Sequence, residues 1–121
     1  MIKKNIFTDS EKKAKYLERN GVKLAYQVFG NRPRDLIIVP GIVSHVELIH
    51  EMPGYDHFIK TLMEHFRIIT FDKRGNGLSD RSIKEPTPEN RIDDIKYVMD
   101  EVSSEKAILF GFSEGAGLSA L

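Results

Sequence analysis

Cysteine is absent from the 121 residues. That removes disulfides and thiolate metal sites from consideration. A dominant charge is missing too: 18 Lys and Arg balance 18 Asp and Glu, so no net field favours nucleic acid or an anionic membrane. The densest like-charged stretch, Lys12-Lys13 with Lys15, is too short for an interaction tail and reads as solvated surface. No apolar run approaches the length of a membrane span. The polar stretch from Met1 to Asn20 lacks the apolar centre of a signal peptide. These absences lead to the expectation of a cytoplasmic protein with no nucleic-acid or membrane partner. What is present is an ordinary globular balance, 40% hydrophobic and 30% charged, in a length suited to at most one domain.

Residues 1–14 read as a loose lead-in. Two alternating runs, Lys15 to Glu18 and Val22 to Val28, then flank Asn20-Gly21, and Asn-Gly between such runs signals a hairpin. Leu36-Ile37-Ile38-Val39, Ile68-Ile69-Thr70-Phe71 and Ala107-Ile108-Leu109-Phe110 are short runs without alternation. That pattern fits strands covered on both faces. Helical spacing joins Phe58, Ile59, Leu62, Met63 and Phe66 in the segment from Tyr55 to Phe66. Thr87-Pro88-Glu89 supplies a capping hydroxyl, a proline for the first turn and an acid at the positive end of a second helix. Its apolar stripe is Ile92, Ile95, Val98, Met99 and Val102, with Asp93, Asp94, Lys96, Asp100 and Glu101 expected to face water. The order implies an α/β fold: an N-terminal antiparallel hairpin, then a mostly parallel sheet with crossover helices.

In such sheets ligands bind beyond the C-terminal ends of the strands. Three loops with chemistry fall there, at Pro40, at Asp72 and at Gly111. The last reads Gly111-Phe112-Ser113-Glu114-Gly115. Glycine and serine each make up roughly 7% of residues, so GxSxG arises by chance in about one chain in twenty-five of this length. A strand before it and a helix after it sharpen the signal. On such a turn the serine is lifted clear of the sheet as a nucleophile, and Gly111 and Gly115 remove side chains that would clash. The candidate catalytic residue is therefore Ser113. The Glu114 N–H, at the start of the next helix, is one candidate oxyanion donor. The second is the Ile42 N–H, in a loop where Gly41 lets the backbone approach a substrate.

The segment from Asp72 to Asp80 invites a phosphate reading. A dinucleotide fingerprint needs a third glycine where Asp80 stands, and a Walker loop needs Gly-Lys-Ser/Thr; neither is present. The expectation is a structural loop shaping the pocket floor, with Asp72 and Arg74 bonding neighbouring backbone. All four histidines, at 45, 50, 57 and 65, precede the serine. His45 is a candidate for lining the pocket; the others read as surface or pocket-lining residues. His45, His50 and Glu51 have no HExxH spacing, so no metal and no cofactor are expected.

Together these stretches (Leu36 to Gly41, Val43 to Leu48, Phe71 to Asp80, Gly111 to Gly115) resemble the α/β-hydrolase fold superfamily. More narrowly, they are similar to bacterial α/β-hydrolase domains joined to adenylate/guanylate cyclase or other regulatory domains. The resemblance runs from about Tyr16 to the last residue. It implies a serine hydrolase acting on a small-molecule, ester-like substrate, with Ser113 attacking the carbonyl and the Ile42 and Glu114 amides holding the oxyanion. Many members carry His-Gly where this chain has Pro40-Gly41. A backbone donor survives that change.

Family members continue through further strands, a lid, an acid and a histidine. Residues 15–121 therefore read as the N-terminal half of such a domain, ending after the nucleophile turn, a partial α/β-hydrolase fold. The expected partner is the C-terminal half or a regulatory domain. Alone, the chain is expected to be marginal and weakly active, because a serine without its base is a weak nucleophile. A non-catalytic ligand-sensing or signalling module on the same fold is the alternative, since fold by itself does not decide function. An oxidoreductase or haloperoxidase-type use of the same triad is a third.

Overall fold

The computed structural model describes residues 6–41, 44–75, 77–79 and 88–111. Five strands form one mixed sheet: β1 (Lys15–Arg19), β2 (Val22–Phe29), β3 (Asp35–Val39), β4 (Arg67–Phe71) and β5 (Ala107–Gly111). Their spatial order is β1-β2-β4-β3-β5. The hairpin is as expected. β1 pairs antiparallel with β2, and Asn20 and Gly21 both have positive φ, 50° and 78°, the backbone of a type I′ turn. β2 then pairs antiparallel with β4, whereas β3 runs parallel to both β4 and β5. The crossover from β3 to β4 contains α1 (Tyr55–Leu62), and that from β4 to β5 contains α2 (Pro88–Glu101).

The unbroken apolar runs are explained by two cores, one on each sheet face. On β3, Ile37 and Val39 join Leu24, Ile69, Phe71, Ile95 and Val98 under α2. Leu36 and Ile38 point the other way, to Phe29, Ile68 and Ile59 under α1. Each buried side chain of this size stabilises by about 1.5–3 kcal/mol. A polar residue at any of positions 36–39 would forfeit that on one face or the other.

Four expectations need correction. Residues 6–14 are not all loose: Phe7 is 2% exposed and stacks on Phe29 at 4.8 Å, and Ala14 is buried. α1 ends at Leu62 rather than Phe66, although Met63 and Phe66 still pack on its core. β5 is not buried on both faces. Ala107 and Leu109 pack toward α2, but Ile108 and Phe110 are 43% and 41% exposed. Among the described residues β5 lies at the sheet edge, and Phe110 meets the rim of α1, with its ring 6.2 Å from Phe58. Finally, Asp94 does not face water; it is fully buried. Of the stripe on α2, Ile95 and Val98 are buried and Met99 and Val102 pack beside them. The Thr87 cap lies outside the described residues.

Candidate active site

The parallel part of the sheet, β4-β3-β5, sets three chain segments side by side as they leave its C-terminal edge. The register is Ile38 beside Thr70 on one flank, and Ile38 beside Phe110 with Val39 beside Gly111 on the other. The Pro40-Gly41 loop thus emerges directly next to the strand end that carries Gly111. Of the expected site residues, Gly41, Gly111 and His45 are described. Ile42, Ser113, Glu114 and Gly115 lie outside the described residues, as does the helix expected after Ser113.

Asp72, the first residue beyond β4, ties the loop after β3 to its own. It is fully buried. Its Oδ1 accepts the Ser44 hydroxyl at 2.7 Å, and its Oδ2 accepts the backbone N–H of Val46 at 3.2 Å and of Leu78 at 3.0 Å. The Asp72 backbone is held as firmly. Its N–H donates to Ala25 at 2.9 Å and its carbonyl accepts the Ser79 hydroxyl at 2.5 Å, while Ser79 Oγ accepts the Ala25 N–H at 2.9 Å. Gly77 stands at φ +51°, and a Cβ there would overlap the Asp72 carboxylate. The expected structural loop is therefore real, and Asp72 does bond backbone.

Arg74 behaves differently from expectation. Among the described residues its guanidinium is not seen to serve neighbouring backbone. It meets the buried Asp94 carboxylate of α2 at 2.8 Å and 2.6 Å, and the Arg74 N–H donates to the same carboxylate at 3.0 Å. Burial pushes the Asp94 carboxyl up, with Arg74 pulling it back. The pair fastens the glycine loop to α2. Between Asp72 and Arg74, Lys73 is 5% exposed, and burial, then the charge of Arg91, lowers its ammonium from the ordinary range. Burial also raises the Tyr55 phenol at the start of α1, aided by the charges of Asp56 and Asp72.

His45 is half-buried in the loop after β3, and its Nδ1 accepts the Leu48 N–H at 3.1 Å. That bond fixes its tautomer with the proton on Nε2. His50 is not a surface residue but a core one, 8% exposed among Phe7, Phe29 and Tyr55, and it also lines a shallow cavity beside Lys12 and Glu47. Its Nδ1 meets Asp56 at 2.5 Å and its Nε2 meets Gln27 Oε1 at 3.0 Å. Gln27, 2% exposed within β2, also accepts the Thr70 hydroxyl and donates to the Lys12 carbonyl. Both ring nitrogens of His50 are thus committed to structure. The sequence offered no signal for this network, since its members are joined only by the fold. Among the described residues no three His, Asp or Glu side chains converge as metal ligands would, and no helix is long and apolar enough to cross a membrane.

Comparison with known proteins agrees with this fold. Residues 36–121 match the family model described as the alpha/beta hydrolase fold. The 3-oxoadipate enol-lactonase 1 of Acinetobacter baylyi is 33% identical over 103 residues, covering 85% of this chain and 36% of that protein. The chain therefore spans about a third of that relative's length. Among solved structures, the enol-lactonase from Burkholderia xenovorans superposes with a TM-score of 0.73 at 25% identity, covering 87% of this chain and 39% of that one. The mouse alpha/beta hydrolase domain-containing protein 10 does so with a TM-score of 0.67 at 28% identity, covering 88% and 42%.

Proposed function

The chain belongs to the α/β-hydrolase fold family, and from that membership we propose that it carries the nucleophile and oxyanion half of an esterase-like serine hydrolase. The carrying observation is the pairing of Val39 with Gly111. Two residues beyond Gly111 comes Ser113, and three beyond Val39 comes Ile42. The strand ends that precede Ile42 and Ser113 in the chain are thus neighbours at the edge of the sheet where folds of this class bind their ligands, which supports the reading.

In this reading Ser113 Oγ attacks the carbonyl carbon of an ester or lactone, and a base accepts its proton. The carbonyl oxygen becomes an oxyanion held by the N–H groups of Ile42 and Glu114. Collapse of the intermediate expels the alkoxide, which takes the proton back from the base, and water then releases the acyl group by the same route. In this fold the acid and the histidine follow the serine in chain order. The four histidines here all precede it, so none of them stands in that position in the chain order. The names of the enol-lactonase relatives favour a small cyclic or linear ester as the substrate class.

The test is hydrolysis of p-nitrophenyl acetate and of a γ-lactone by the intact protein and by Ser113→Ala. The reading expects turnover that the substitution lowers by a factor of at least about a thousand. Unchanged turnover in Ser113→Ala removes Ser113 from the chemistry.

A further inference from the structure

We propose that residues 6–14 form a strap latched by one proton, which His50 and Asp56 hold beneath it, and that the strap opens as pH rises; the proposal is independent of the hydrolase reading. The strap lies against β2 and is fastened at three points. Phe7 stacks on Phe29 and meets the edge of the His50 ring at 6.0 Å. The Lys12 carbonyl accepts the side-chain amide of Gln27. The Ala14 N–H donates to Glu47 Oε2 at 2.7 Å, and Ala14 packs with Ala25 and Val46.

The Gln27 amide decides the proton count. A carbonyl only accepts, so the amide nitrogen faces Lys12 and the amide oxygen faces His50 Nε2, at 3.0 Å. The ring therefore donates at Nε2. Its Nδ1 meets Asp56 Oδ1 at 2.5 Å, and an ionised carboxylate also only accepts. The His50–Asp56 pair thus carries one proton more than a neutral imidazole beside a carboxylate, whether that proton rests on Nδ1 or on Oδ1. The two side chains are 2% and 18% exposed, so water replaces a lost partner poorly.

Removal of this proton reaches the strap through Gln27. A neutral ring that still donates to Asp56 presents a bare Nε2. Gln27 satisfies it only by turning its amide over, which takes the N–H from Lys12 and sets oxygen against oxygen there. The neighbouring groups fit this assignment. From α1, the Tyr55 phenol is raised by burial and by the charges of Asp56 and Asp72, so it stays neutral. From β2 and β4, Gln27, Phe29 and Thr70 carry no charge. Asp9, Glu47 and Glu51, against Lys12 and Lys13, line the cavity beside His50. Their balance favours the added proton. Free imidazole gives up its proton at about pH 6.5. The closed strap binds more protons than the open one, so its stability is complete below that pH and declines above it. The opening equilibrium then rises by up to about tenfold per pH unit.

The test is amide exchange of the intact protein against pH. The Ala14 N–H reports the strap, and the N–H groups of Ile37 and Ile38, in the sheet interior, report the fold. After correction for the intrinsic rate, Ala14 protection should fall by about tenfold or more from pH 6.5 to 8.5 while that of Ile37 and Ile38 holds. Asp56→Asn, which removes the carboxylate that retains the proton, should move the fall to lower pH. His50→Gln, which has no ring to titrate, should abolish it. Ala14 protection that is flat with pH in the parent overturns the proposal. So does a fall that Ile37 and Ile38 share, or one that Asp56→Asn leaves in place.

Discussion

Gly77 leaves open the space that the Asp72 carboxylate fills. Alanine at 77 would meet two obstacles, the positive φ of +51° and direct overlap with Asp72. At Gly75 the φ is +86° but nothing lies within 4 Å of an added Cβ. Gly75→Ala should therefore cost only the backbone penalty, about 1–2 kcal/mol. Gly77→Ala should cost clearly more, about 3 kcal/mol or above, because a buried carboxylate with three donors must move as well. Chemical denaturation of the two variants side by side checks the order.

The Arg74–Asp94 pair offers a second test. Its side chains are 8% and 0% exposed, so truncating one leaves the other charged and buried. Asp94→Ala should destabilise by about 3–5 kcal/mol. The Arg19–Glu101 pair is 2.9 Å long but has side chains 41% and 30% exposed. Glu101→Ala should cost at most about 1 kcal/mol. Equal effects of the two substitutions in urea melts would deny the buried pair its role in fastening the glycine loop.

Acid stability should depend on Asp35. Its carboxylate takes two bonds from Arg67, at 2.7 and 3.0 Å, and Arg67 also donates to the Val102 carbonyl at 2.9 Å. Hydrogen bonding to Arg67 holds the Asp35 carboxyl below its ordinary value. A depressed folded value means that the stabilisation is complete above the unfolded carboxyl value of about 4. It is lost as pH falls through the lower folded value. Asp35→Asn should therefore be less stable than the parent at neutral pH, with the gap closing in acid. Unfolding free energies measured across that range should converge; parallel curves would contradict the assignment.

The legibility of this fold in its sequence depended on how local each cause was. Asn20-Gly21 sets its turn through its own backbone, and the runs at 36–39 and 68–71 announce burial on both faces by their lack of alternation. Asp94 falls outside the apolar stripe of α2, and its partner, Arg74, is twenty positions away, so only the crossover brings the two together. His50, Gln27 and Asp56 are joined in the same way, across three separate elements. β5 looked like its neighbours in composition, yet its α1-facing side is half open, since cover depends on what packs against a strand rather than on the strand itself. At the site, the loops at Pro40, Asp72 and Gly111 could be placed at strand ends from the sequence. That Asp72 would link two of them through one carboxylate could not, since Ser44 and Val46 are 28 and 26 positions away.

The most direct measurement is a crystal structure of the intact protein after reaction with a small fluorophosphonate ester, a mimic of the tetrahedral intermediate. The expected result is a phosphorus–oxygen bond to Ser113 Oγ, with a phosphonyl oxygen about 3 Å from the amide nitrogens of Ile42 and Glu114. Phosphonylation at another residue, or a Ser113 adduct whose oxygen points away from both amides, would contradict the account.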